Sequence, residues 1–288
     1  MKLPKFFLYF FIIITVIIIS ITFIIFSENL NKESKERKQE RLNTMCYLAF
    51  KRISKAIIEY TENEGKQLYL PPTLETLVQN NYIKSQDLFY CGCKLKKKYY
   101  YIKNLRCDMP GNIPVLLEKD ASHSLIYDGK KIDNLGFVAY LDFSVKYMRK
   151  VNINFLIQKT QEALKISQND NIKVLFQKLI SNDHNKQMQS LILWKLGELN
   201  LKLVNKFEIK NYLHSYNFWV ALQAAITLVK HEDKSGLPLL LNSLSHENYF
   251  TRKRIFSYIF RKKNSNINFI SQSFSKKVAK KYFQTYNK

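Results

Sequence analysis

Phe6–Phe26 reads FFLYFFIIITVIIISITFIIF, an uncharged run of 21 residues with neither Gly nor Pro. At about 1.5 Å rise per residue, a helix of roughly 20 apolar residues matches a hydrocarbon core of about 30 Å and satisfies its own backbone inside lipid. The stretch is therefore expected to be a membrane anchor over residues 1–27, bounded by Phe6 and Phe26. A secretory signal would also begin with basic residues, here Lys2 and Lys5. Its apolar core, however, is only about 7–15 residues long and precedes a small-x-small cleavage pattern. This run is longer and passes into Ile24-Ile25-Phe26-Ser27-Glu28.

The chain has 288 residues, 46% of them hydrophobic, with 7 Gly and 6 Pro. That leaves room for an anchor and two small, mainly helical domains. The net charge of +23 arises from 46 Lys and Arg against 23 Asp and Glu. Such an excess suits an anionic lipid surface or nucleic acid. The basic residues are nevertheless spread along the chain and no nucleic-acid motif is present. Tyr99-Tyr100-Tyr101 beside Lys94-Leu95-Lys96-Lys97-Lys98 reads more simply as a half-buried strand next to a solvated turn than as a stacking platform.

Asn31–Arg41 is a solvated run of both charge signs without a helix breaker, so the anchor helix is expected to continue outward. Leu42, Met45, Cys46, Ala49, Ile53, Ala56, Ile57 and Tyr60 then recur at three- and four-residue steps. This is the apolar face of an amphipathic helix, which Glu64-Gly65 should stop. Pro71-Pro72-Thr73 opens a short helix through Val78. Strand patterning follows at Leu88-Phe89-Tyr90-Cys91, Tyr99–Ile102, Val115–Leu117 and Phe137–Leu141. Turns are expected at Asp108–Asn112 and Asp128-Gly129. A small antiparallel sheet packed on the long helix is the expected α+β domain, residues 28–150.

In this order of parts, residues 1–148 resemble type IV pilin-like proteins, above all the pseudopilins of type II secretion systems. The resemblance rests on the apolar N-terminal helix and its continuation Ala56-Ile57-Ile58-Glu59-Tyr60, then on Pro71-Pro72-Thr73-Leu74 and Leu88-Phe89-Tyr90-Cys91. It extends to Ile113-Pro114-Val115-Leu116-Leu117-Glu118, His123, and the late strand Gly136–Asp142. Phe143 and Ser144 stand where the related motif has Gly and His. The apolar run carries no acid and no Gly precedes it, so the resemblance implies an unprocessed, anchored pilin-like domain.

From Val151 onward apolar residues return at helical spacing. Ile172–Leu199, Ile209–Lys230 and Gly236–Arg261 read as helical hairpins with a period of about 30 residues, the signature of a solenoid. Trp194, Leu228 and Ile259 are the expected helix cores of this all-α repeat domain, residues 151–288. The segment Leu213–Arg261, with Leu237-Pro238-Leu239-Leu240-Leu241-Asn242-Ser243-Leu244, resembles HEAT-like repeats, which implies protein binding.

No catalytic constellation, phosphate loop or nucleophile elbow is present, and no cofactor or small-molecule substrate is indicated. Cys91, Cys93 and Cys107 leave three readings open: a disulfide closing the hairpin, free thiols, or a metal site lacking the usual paired spacing. Cys46 reads as a buried helix-face residue. His123 with Asp128 or Asp142 offers a metal pair, but a surface turn is the plainer reading. The other histidines are scattered and pair with no acid or cysteine at catalytic spacing.

Lys32, Lys35, Arg37, Lys38 and Arg41 outnumber Lys2 and Lys5, which favours a cytoplasmic C-terminal part. A disulfide and the pseudopilin resemblance favour the outer face of the inner membrane, and that extracytoplasmic side is the reading adopted. The expected protein is thus a single-pass, non-enzymatic inner-membrane protein whose partners are the lipid bilayer and other proteins of a type II secretion or pilus-type assembly. The alternative is a membrane-tethered HEAT-like scaffold unrelated to secretion.

Overall fold

The computed structural model describes residues 5–63, 69–92, 97–120, 123–127, 130–199 and 204–260, with the side chains of residues 5–19, 29–31, 33, 35, 126, 127, 249, 257 and 260 outside that description. The first helix, α1 (Lys5–Asn63), runs 59 residues. It contains no Gly or Pro, and the expected stop at Glu64-Gly65 lies outside the described residues.

Among the described residues no helix is long and apolar enough to cross a membrane. This corrects the expected anchor at Phe6–Phe26, and with it the transmembrane part of the fold, the inner-membrane placement and the bilayer as partner. Most of that run, residues 6–19, has its side chains outside the described set. The described part, Ser20–Ser27, spans only about 12 Å at 1.5 Å per residue and leads straight into Glu28.

The C-terminal half of α1 is the spine of the fold. Phe50, Ile53, Ala56, Ile57 and Tyr60 are buried along one face. The buried face is rotated from the apolar stripe at its start: Asn43 is buried whereas Met45 is 61% exposed. Asn43 turns inward because the sheet supplies its amide with partners.

After α2 (Glu75–Gln79), the segment read as a strand at Leu88–Cys91 is instead a 3-10 turn, Gln86–Phe89. The Ser85 hydroxyl accepts from the Asp87 N–H and starts this turn, a local competitor to strand pairing. The sheet comprises β1 (Tyr100–Tyr101), β2 (Pro114–Leu117), β3 (His123–Tyr127), β4 (Lys130–Tyr140) and β5 (Val145–Arg149). The 11-residue β4 organises it. β2 pairs antiparallel with its C-terminal half, Leu117 opposite Val138, and β3 with its N-terminal half, His123 opposite Leu135. β1 extends β2, and β5 lies along β4 with Phe137 opposite Tyr147.

Leu135–Ala139 is continuously buried, so both faces of β4 are covered, because successive side chains point to opposite faces. Phe137 packs on Tyr47 and Phe50 of α1, and α3 (Lys150–Ser167) also lies against β4, β5 and β2.

Helices α4 (Ile172–Ser181), α5 (Lys186–Leu196), α6 (Lys206–Lys210), α7 (Phe218–Lys230), α8 (Leu237–Ser243) and α9 (Tyr249–Phe260) complete the described chain. Asn171, Asn185, Asn205 and Asn217 cap α4 to α7, each accepting from a backbone N–H of the first turn. One buried core runs from Phe50 and Phe137 through Ile153, Leu179 and Trp194 to Leu228. A smaller one holds Leu222, Ile226, Leu240, Ile255 and Ile259. The Arg106 guanidinium lies 4.9 Å over the Trp194 ring and pairs with Asp108 and Glu198, and Glu198 also pairs with Lys230, tying the loop after β1 to α5 and α7.

Asn217 accepts from both Trp219 N (3.1 Å) and Val220 N (3.3 Å) at the start of α7, in which Val220–Leu228 are all buried. Asn217→Ala is expected to cost about 1 kcal/mol, and at most about 2, by orphaning those donors. Urea unfolding should show a lower midpoint with an unchanged m-value, and an unchanged midpoint would remove the cap's assigned role.

Candidate metal centre

The buried face of α1 carries Asn43 and, three residues on, Cys46. Cys91 follows the 3-10 turn and is held by a bond from its N–H to the Lys97 carbonyl (2.9 Å). Glu118 is the first residue past β2, and its N–H donates to the Phe137 carbonyl (2.9 Å). His123 opens β3, its ring edge-on to Phe137 at 5.3 Å. Because β2 ends and β3 begins along the same strand, β4, Glu118 and His123 meet over its middle, where α1 crosses.

The four side chains converge there. Cys46 Sγ lies 3.5 Å from Cys91 Sγ, Cys91 Sγ lies 3.4 Å from His123 Nε2, and His123 Nε2 lies 2.9 Å from Glu118 Oε1. All four donor atoms fall within 4.8 Å of one another. The residues are at most 2% exposed: Cys46 1%, Cys91 1%, Glu118 2% and His123 0%. Metal–ligand arms of 2.0–2.3 Å in tetrahedral geometry require donor–donor edges of about 3.3–3.8 Å. Each of the three distances falls a few tenths of an ångström or less short of the edge for its own donor pair, about 3.8 Å for S–S, about 3.6 Å for S–N and about 3.3 Å for N–O, so the donors would move slightly apart around an ion.

A surrounding layer orients these donors. Asn43 Nδ2 donates to the Ser124 carbonyl (2.7 Å), which turns Asn43 Oδ1 toward His123 Nδ1 at 2.9 Å. Gln39 Nε2 donates to the same oxygen (3.1 Å). His123 Nδ1 therefore carries a proton, and Nε2 faces the cluster. A ring nitrogen held in this way is the usual partner of a metal-binding imidazole. Glu118 Oε2 accepts from the Phe137 N–H at 3.3 Å, fixing the carboxylate. Tyr99, also buried, has a hydroxyl with no hydrogen-bond partner. Burial first, then the neighbouring charges of Cys46, Glu118 and Cys91, hold its phenol far above the ordinary range and so protonated.

Charge is already separated in the pocket. The Cys46 thiol is pulled down to about 5, chiefly by the hydrogen bond from Cys91 and then by His123, against the effect of burial. For His123, burial disfavours the cation, but hydrogen bonds to Cys46 and Glu118 outweigh it and push the imidazole up to about 10. The pocket thus favours a thiolate at Cys46 beside one cationic position, and a divalent ion would take the place of the Nε2 proton.

Two sulfurs, one imidazole and one carboxylate form a donor set suited to Zn²⁺. No donor position opens to solvent, which is the arrangement of a structural site.

Of the residues singled out in the sequence, Cys91 belongs to this cluster, and Cys93 lies outside the described residues. No disulfide joins Cys46, Cys91 and Cys107, and Cys107 is a half-buried residue outside the four-donor cluster. His123 is no surface turn but a fully buried strand residue. Its acid is Glu118 rather than Asp142, which accepts from Ser144, or Asp128, which lies outside the described residues. Trp194, Leu228 and Ile259 are buried in the helical part. Cys46 and Glu118 carried no metal signal of their own. A polar Asn43 breaking the apolar face one turn before Cys46 was the available hint. No family model, characterised protein or solved structure matches the chain.

Proposed function

We propose that the chain is a non-enzymatic binding protein whose fold is closed by one structural divalent ion of the zinc class, held by Cys46, Cys91, Glu118 and His123. The observation that carries this reading is the convergence of four metal-competent donors, from α1, the 3-10 turn and the sheet, in a pocket sealed from solvent. The ion would fasten the spine helix to the sheet, with the buried, protonated Tyr99 phenol beside it. Protein is the partner class in this reading, with the pilin-like and HEAT-like resemblances bearing on it.

Purified full-length protein prepared under reducing conditions with Zn²⁺ is expected to retain one equivalent of zinc after desalting. Replacement by Co²⁺ should give a sulfur-to-cobalt charge-transfer band in the near ultraviolet and visible d–d bands of a tetrahedral ion. Folded protein that retains less than a tenth of an equivalent would sink the metal reading. For the partner, cross-linking followed by pull-down should recover components of a secretion or pilus-type assembly, and recovery of none would count against that assignment.

A further inference from the structure

We infer that the pocket has two mutually exclusive closed states, a metal-bound dithiolate and a metal-free Cys46–Cys91 disulfide, so that oxidation ejects the ion. The inference rests on the metal reading and adds its regulation.

Geometry singles out this pair. The two sulfurs are 3.5 Å apart, slightly closer than the edge of about 3.8 Å that two zinc-bound thiolates need. A disulfide bond of about 2.05 Å is reached by closing the gap a further 1.5 Å or so. The backbone after Cys91 already lies along α1: a Cβ placed on Gly92 would sit 3.9 Å from Cys46 Sγ. The closure therefore starts from two sulfurs already in contact. No competing thiol reaches the pocket among the described residues, since Cys107 is not part of the cluster.

With a peroxide as oxidant the steps balance. Cys46 Sγ attacks the O–O bond, which breaks; one oxygen leaves as water after taking a solvent proton, and the other stays on sulfur as a sulfenic acid. Cys91 Sγ attacks that sulfur, the S–S bond forms, and the displaced hydroxide takes a second solvent proton. Two thiolates lose two electrons, and the peroxide is reduced to two waters. The pocket is then left with His123 and Glu118, two donors where a structural zinc site has four, and the ion leaves. Because both sulfurs are sealed from solvent, the reaction follows local opening and is slower than oxidation of the half-buried Cys107.

The test titrates zinc-loaded full-length protein with hydrogen peroxide. A chromogenic chelator follows released zinc, and peptide mapping without reduction follows the cysteines. The expected result is one equivalent of zinc released in step with a Cys46–Cys91 linked peptide pair 2 Da lighter than the two free peptides, reversed by dithiothreitol and added Zn²⁺. Cys107→Ser should behave like the parent protein. Zinc still retained after Cys107 is fully oxidised and peroxide has been raised to a large excess, or zinc released with Cys46 and Cys91 unlinked, overturns the inference and leaves the metal reading standing. Protein that holds no zinc before peroxide is added overturns the metal reading itself.

Discussion

Cys46→Ser is expected to lower the melting temperature of the zinc-loaded protein by on the order of 10 °C while moving that of the chelator-treated protein by only a few degrees. A ligand present at a thousandfold excess over its dissociation constant stabilises the state that binds it by about 4 kcal/mol, and each kcal/mol is worth about 2–4 °C in a chain of this size. Serine is nearly isosteric, and its hydroxyl can still hydrogen-bond within the pocket, so the metal-free fold loses little. The hydroxyl is a poor zinc ligand, so the metal-linked part is lost. If the four side chains were only a satisfied polar network, the substitution would move the loaded and chelated melting points equally. Asn43→Leu gives a graded version: it touches no proposed donor atom but frees the His123 ring, and zinc affinity should fall about 10–100-fold.

Gly236→Ala is the second large effect, and its cause is steric. Gly236 precedes α8 with φ −76°, a value any residue adopts. A Cβ there would meet the Ala225 carbonyl oxygen at 2.4 Å and the Ala225 Cα at 3.0 Å. These are main-chain atoms in the middle of α7, which packs on α5 and α8, and they cannot step aside as a side chain would. The two elements must separate, and overpacking of this kind costs about 3 kcal/mol. Denaturant unfolding should report that loss, and Ala225→Gly should not rescue it, because the contacted atoms remain. Rescue by Ala225→Gly would show that the clash had been placed on the wrong atoms. Gly111→Ala offers a contrast: the added Cβ would fall 2.2 Å from the Trp219 ring, a side chain that can rotate away, so its cost should be smaller.

Much of the helical part could be read from residue order. The absence of Gly and Pro over Lys5–Asn63 lets α1 run unbroken, and the apolar period from Ala49 to Tyr60 marks its buried side. The three hairpins after α3 follow from the 3.6-residue period and from Asn residues at helix starts. These are local properties, settled within a few residues. Leu88–Cys91 shows their limit: its apolar pattern suits a strand, yet Ser85 and Asp87 close a 3-10 turn, and strand pairing had to yield to that local bond. β3 and β5 lacked a clear alternating pattern and exist because β4 is long enough to pair with both.

By itself the sequence determined an unbroken spine helix and a helical period from Val151 onward, because period and breakers act over a turn or two. Only the tertiary structure decided that Cys46, Cys91, Glu118 and His123 share one pocket. Their donors come from α1, the loop after the 3-10 turn, and the ends of β2 and β3, and no local spacing records the crossing of α1 over β4 that brings them within 4.8 Å. The same crossing explains why a polar Asn43 is buried and an apolar Met45 is not: hydrogen bonds from across 80 residues of chain outweighed the helix's own apolar pattern.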